Sequence, residues 1–159
     1  MARKGDGGAE QALKRAIKFL SYRARSEAEV RSKLAQSGFL PKIIEPTLAK
    51  LRSLKLLDDE VFARSFAEAR IADRGYGPLR LERELRRKGI ASSFITRLLD
   101  ETFAHNGGKE RARSLLERRF RGKDLSDAKN LRRAVGFLQR RGYRDSVIAE
   151  ILKQPFGND

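Results

Sequence analysis

One pattern, written three times, constrains this chain more than any other feature. It reads LAQSGFLPKIIEPTL at Leu34–Leu48, LRRKGIASSFITRLL at Leu85–Leu99 and LQRRGYRDSVIAEIL at Leu138–Leu152. In every copy a Leu stands four residues before a Gly and a bulky apolar residue follows that Gly. An Ile and a Leu then stand six and ten residues after it. The glycines Gly38, Gly89 and Gly142 are 51 and 53 residues apart. Self-similarity at a fixed period of this size signals an array of small supersecondary units, each too small to bury much apolar surface alone. Such arrays present extended surfaces that serve binding more often than catalysis.

Between the repeated glycines the chain reads as helix almost throughout. Leu13, Ile17 and Leu20 recur at intervals of three and four, which predicts one apolar face on a first helix. Ser26-Glu27-Ala28-Glu29 has the form of a capping box, Val30 and Leu34 continue that second helix, and Gly38 is placed to end it in the left-handed conformation. A third helix is expected to turn Ile43, Ile44, Leu48, Leu51 and Leu54 inward, with Pro46 early enough to be tolerated. In the second unit Asp58 or Asp59 can cap a helix that buries Val61, Phe62, Phe66 and Ala69. Gly77 falls where Ser26 stands in the first unit, Pro78 suits the first helical position, and Gly89 stops the helix. Asn130 aligns with the same cap position in the third unit, before Leu131, Ala134 and Leu138. The expected fold is therefore all-α: three tandem three-helix repeats forming an elongated, curved array, right- or left-handed. The expected boundaries are a disordered tail at 1–8 and repeats at 9–57, 58–106 and 107–155, with TFAHNGGK at 102–109 as the clearest linker. Helix rise and diameter set each unit at roughly 25 Å across and the array at roughly 70 Å long.

Charge divides the repeats where apolar spacing unites them. The net charge of +15 points to a polyanionic partner or neighbourhood. Residues 9–57 and 107–159 each carry +7, whereas residues 58–106 sum to zero. That middle third is still polarised, with Asp58, Asp59 and Glu60 at one end and Arg80, Arg83, Arg86, Arg87 and Lys88 further on. The chain has no cysteine, which excludes a disulfide scaffold, thiol catalysis and a Cys-ligated metal. The segment MARKGDGGAE contains no apolar run, so neither a secretory signal nor a membrane span is expected, and the expected compartment is the cytoplasm.

Catalytic candidates are poor. His105 is the single histidine and lies in the expected linker. Gly107-Gly108-Lys109-Glu110 mimics the end of a phosphate loop, but it lacks the Gly five residues before Gly108 and has Glu110 where Ser or Thr must hold magnesium. Gly75-Tyr76-Gly77 is a lone turn fragment. Asp58, Asp59 and Glu60 are explained by capping and the helix dipole before metal binding. No cofactor, metal site or catalytic residue is expected. The basic helix of the second unit is the strongest functional feature. Arg80, Arg83 and Arg87 share one face away from Leu81 and Leu85, and Arg70 and Arg74 form another pair four residues apart. Arginine suits bidentate contact with carboxylate or phosphate, against the simpler reading of a solvated face paired to Glu82 and Glu84. In the third unit Arg118, Arg119, Arg121 and Lys123 surround Phe120, followed by Arg132, Arg133, Arg140, Arg141 and Arg144. Phe120 reads as core from its spacing to Leu115 and Leu116, with base stacking as the alternative.

The string LLDDEVFARSFAEARIADRGYGPLRLERELRRKGI, from Leu56 to Ile90, resembles the signature of RecX proteins, bacterial regulators of the RecA recombinase. SEAEVRSKLAQSGF in the first unit and ERRFRGKDLSDAKNLRRAVGFLQRRGY in the third are similar to the family's flanking units, and the resemblance covers residues 9–153. It implies an all-helical fold of three three-helix repeats and a non-enzymatic, monomeric inhibitor acting in DNA repair, recombination and the SOS response. Proteins of this kind lodge in the groove of RecA filaments on single-stranded DNA and suppress ATPase, strand-exchange and co-protease activities. Asp58, Asp59, Arg70, Arg74, Arg80, Arg83, Arg86, Arg87 and Lys88 are then expected on the RecA-facing surface. Arg118, Arg119, Arg121, Lys123, Arg132, Arg133, Arg140 and Arg141 are expected toward single-stranded DNA within or beside the filament. The rival reading is a non-sequence-specific nucleic-acid-binding repeat protein acting directly on DNA; a nuclease is the weakest.

Overall fold

The structure, a computed structural model, describes residues 6–154. Among these the chain forms nine helices and no strand: α1 (Asp6–Tyr22), α2 (Glu27–Gln36), α3 (Pro41–Ser53), α4 (Asp59–Arg74), α5 (Pro78–Arg87), α6 (Ser92–Thr102), α7 (Gly107–Arg119), α8 (Ala128–Arg141) and α9 (Asp145–Leu152). Helix α1 begins before the expected start at Ala9. The amides of a helix's first turn have no intrahelical partner to lose, so a Gly pair there does not bar the start. Residues 1–5 of the expected tail, and residue 155 at the expected end of the third repeat, lie outside the described residues. Helices α6 and α7 also close in on the expected linker, leaving only residues 103–106 between them.

Compactness divides the chain into two units rather than by the fifty-residue period. The first holds the residues up to Ser65 with Arg86–Ala91; the second holds Phe66–Leu85 with the residues from Ser92 onward. Helices α4 and α5 each give one segment to either unit.

The first unit is centred on Val30, Leu34, Ile44, Leu48 and Leu51, closed by Ala12, Ala16 and Leu57. The repeated apolar positions behave alike: Leu34, Leu85 and Leu138 are all 0% exposed, and Ile44, Ile95 and Ile148 are buried with them. Each such side chain contributes about 2 kcal/mol by burial. Alanines occupy more of the interior than spacing of large residues suggested. Helix α1 turns Ala12 and Ala16 fully inward, and Ile17, about 140° round the helix from Ala12, is left 41% exposed. Helix α4 buries Phe62, Ala63 and Ala67, while Val61 lies on the opposite side and Ala69 is exposed. Leu54 falls just past the end of α3 and is exposed; Leu57 takes its expected place in the core.

The caps refine the sequence reading. Ser26 and Glu29 form the capping box: the Ser26 hydroxyl accepts from the Glu29 amide at 3.3 Å, and the Glu29 carboxylate accepts from the Ser26 amide at 2.9 Å. Asp58, not Asp59, caps α4, accepting from the Glu60 and Val61 amides at 3.0 and 3.1 Å. Asn130 is not an N-cap. Helix α8 starts earlier, capped by Asp127, whose carboxylate accepts from the Asn130 amide at 2.9 Å. The Asn130 side chain instead donates to the Asp124 carbonyl at 2.9 Å and holds the preceding turn, and Leu131 is left 36% exposed.

The three repeat glycines all take positive φ, as helix-ending glycines should (+89°, +77° and +89°). Two of them also stand at close contacts. In the first unit a Cβ on Gly89 would lie 2.5 Å from the Ala28 Cβ. In the second, a Cβ on Gly142 would lie 2.3 Å from the Arg80 backbone nitrogen. There the start of α5 sits on the end of α8: the Gly77 amide donates to the Arg141 carbonyl at 2.7 Å and the Leu79 amide to the Gly142 carbonyl at 3.0 Å. These bonds satisfy amides and carbonyls that helix ends leave unpaired. Gly38 faces open space.

Candidate partner-binding surface

Helix α2 carries two carboxylates, Glu27 and Glu29, and they neutralise several cations around them. Glu29 accepts from Arg23 at 2.8 Å and from Lys88 at 3.0 Å, in addition to the Ser26 amide. Partial burial pushes its carboxyl up, but the hydrogen bonds from Arg23, the Ser26 amide and Lys88 outweigh that and hold it at about 2. Glu27 pairs with Arg52 and, at 3.2 Å, with Arg31, which also reaches Glu45 at 2.8 Å. Lys88, expected at the partner-facing surface, is thus engaged within its own unit.

The acidic pair has similar internal work. Asp58 caps α4, and the Asp59 carboxylate accepts the Glu27 amide at the start of α2 at 2.8 Å. Burial pushes the Asp59 carboxyl above its ordinary range. Both acids therefore hold helix starts, and only Asp58 is exposed. Among the described residues no group of three or more His, Asp and Glu is arranged to hold a metal ion.

In the second unit two expected arginines lie on aromatic rings. The Arg70 guanidinium sits 4.8 Å from the Phe66 ring centre. That of Arg80 sits 4.2 Å from the ring centre of Tyr76, donates to the Arg140 carbonyl at 2.8 Å and approaches Glu84 at 3.8 Å. Arg80 is thereby a fastener between α5 and the end of α8. Arg74, Arg83, Arg86 and Arg87 are exposed, and the helical period puts Arg83 and Arg87 one turn apart on α5.

Of the eight third-repeat cations expected toward DNA, all but one remain at the surface. Arg118, Arg119, Arg121, Lys123, Arg132, Arg133 and Arg140 are exposed, whereas Arg141 is half-buried over the Phe137 ring at 4.7 Å. Phe120 packs against the second unit's core and meets Phe137 edge-on at 6.0 Å, which favours the core reading over base stacking. Spacing within one helix could not reveal these engagements, because the partners of Lys88 and Arg80 stand 59 and 60 residues away.

Repeated three-helix segments, unequal surface charge and a set of exposed arginines define a class: an all-α tandem-repeat protein with a polarised, arginine-rich surface. Its family follows from comparison with known proteins. Models of the RecX first, second and third three-helix domains match residues 12–51, 58–99 and 109–152. The chain is 35% identical over 141 residues to regulatory protein RecX of Trichlorobacter lovleyi, covering 87% of this chain and 92% of that one. It is 36% identical over 138 residues to regulatory protein RecX of Halorhodospira halophila, covering 86% and 84%. A crystal structure of regulatory protein RecX superposes with a TM-score of 0.75 at 29% identity, covering 92% of this chain and 72% of that one. The chain belongs to the RecX family of regulatory proteins. Among the described residues no helix is long and apolar enough to cross a membrane.

Proposed function

We propose that this chain is a non-enzymatic, cytoplasmic regulator that acts as a monomer, binds RecA filaments on single-stranded DNA and lowers their activity. It does so by lodging in the filament groove and blocking extension or promoting disassembly. Membership of the RecX family along all three repeats is the observation that carries this reading. Unequal charge supports it over a direct DNA-binding protein, since a neutral, polarised middle between basic thirds suits a protein partner better than uniform phosphate contact. On this reading residues 9–57, 58–106 and 107–155 are the three recognition repeats. The exposed Arg74, Arg83, Arg86 and Arg87 are the prime RecA contacts, and the exposed third-repeat cations lie toward DNA.

Arg83→Glu with Arg87→Glu tests the surface. Both residues are exposed on α5, so circular dichroism is expected to keep its helical signal. Co-sedimentation with RecA filaments is expected to show affinity lowered by about 10- to 100-fold, since like charges facing one another across an interface cost several kcal/mol. Unchanged affinity in the double variant places the interface elsewhere.

A further inference from the structure

The first unit contains a groove of about 570 Å³ running along α1 and across to Lys33 and Phe39, within the size range of ligand sites. No carboxylate lines it; Lys14, Arg15, Lys18 and Lys33 do, beside Phe19 and Tyr22. Lys14 has an exposed ion pair with Glu10 at 2.9 Å, weak enough for another anion to replace. Arg15 donates to the neutral Ser37 hydroxyl at 3.2 Å. The Phe19 ring already carries the Arg25 guanidinium at 4.0 Å and the Lys33 ammonium at 5.5 Å. Tyr22, at the end of α1, is 73% exposed and offers its ring to a ligand.

From this geometry we infer that the α1–α2 groove is a binding site for single-stranded nucleic acid, with Tyr22 as a stacking platform and Lys18 and Lys33 as phosphate contacts. Four cations without a lining carboxylate select an anion, and the open aromatic ring selects an anion that also presents flat π-faces. A duplex keeps its bases stacked and paired, out of reach of such a ring. An acidic peptide satisfies the cations but leaves Tyr22 without a stacking partner. The inference deepens the proposed function, because a RecA filament is built on such a strand, yet it stands on a different surface from the α5 arginines.

The test omits RecA, so its failure is separable from failure of the filament reading. Binding of a fluorescein-labelled oligo(dT) of about 20 nucleotides is followed by anisotropy over a range of salt. Tyr22→Ala is expected to weaken binding about tenfold, and Tyr22→Phe to restore it. Lys18→Gln with Lys33→Gln is expected to flatten the slope of log affinity against log salt by about 1.4, the value for two phosphate contacts on a single strand. Absence of binding by the native chain, unchanged affinity in Tyr22→Ala, or an unchanged salt slope each overturns the site. So does equally tight, equally Tyr22-dependent binding of a duplex, or displacement by polyglutamate as effective as by unlabelled oligo(dT).

Discussion

Gly142→Ala is expected to destabilise the protein by about 3 kcal/mol or more, while Gly38→Ala, at the matching position of the first repeat, costs only ~1–2 kcal/mol. Both residues have φ of +89°, so both substitutions incur the left-handed penalty of an L residue. They differ in what the new methyl meets. At Gly38 it meets nothing, whereas at Gly142 it would lie 2.3 Å from the Arg80 nitrogen and 2.4 Å from the Arg80 Cβ. Relief requires the start of α5 to move off the end of α8, which sacrifices the Gly77–Arg141 and Leu79–Gly142 hydrogen bonds at about 1 kcal/mol each. Thermal unfolding reads the contrast directly, because each kcal/mol is worth about 2–4 °C in a chain of this size. Equal losses for the two alanines contradict a packing role for Gly142.

The second large effect is Glu29→Gln, and it carries a pH signature. The carboxyl titrates at about 2 in the folded chain against an ordinary value of 4.5, so its contribution is fully present above pH 4.5 and is lost as pH falls toward 2. The shift corresponds to about 3 kcal/mol at most. Arg23 is half exposed and screened by solvent, which brings the expected loss at neutral pH nearer ~2 kcal/mol. Asp59 works with the opposite sign, since burial raises its titration and its contribution weakens as pH rises. The difference between native and Glu29→Gln unfolding curves isolates Glu29. That difference is expected to be full at pH 7 and to shrink to nothing near pH 2; a difference independent of pH contradicts the assigned ion pairs.

The regular part of this protein was legible in its sequence because the period repeats it. Leu34, Leu85 and Leu138, the three C-terminal glycines and the Ser26–Glu29 box were all found where spacing put them. Spacing alone could not settle a choice between near-equivalent local solutions. Asp58 and Asp59 are both competent caps, and the Glu27 amide, 32 residues upstream, takes Asp59. Asn130 aligns with Ser26, yet Asp127 offers an earlier cap and α8 accepts it. Alanine faces were missed because a periodicity built on large apolar residues passes over Ala12, Ala16, Ala63 and Ala67, all of them buried.

The candidate surface was less legible for a related reason. Charge patterning shows which arginines share a helix face, but not which are already engaged. Arg80 lies on Tyr76 and Lys88 on Glu29, which leaves Arg83 and Arg87, one turn apart on α5, as the cleaner probes. Tyr22 gave no signal in sequence, because an aromatic residue ending an amphipathic helix reads as core until its exposure is known.

The most direct test of the filament reading is RecA ATPase on preformed filaments of single-stranded DNA as this protein is titrated in. The account predicts inhibition at ratios well below one molecule per RecA protomer, because a regulator lodged in the groove or at a growing end acts on more than the protomer it touches. Inhibition that appears only when the protein has saturated the DNA lattice contradicts it and identifies simple competition for DNA.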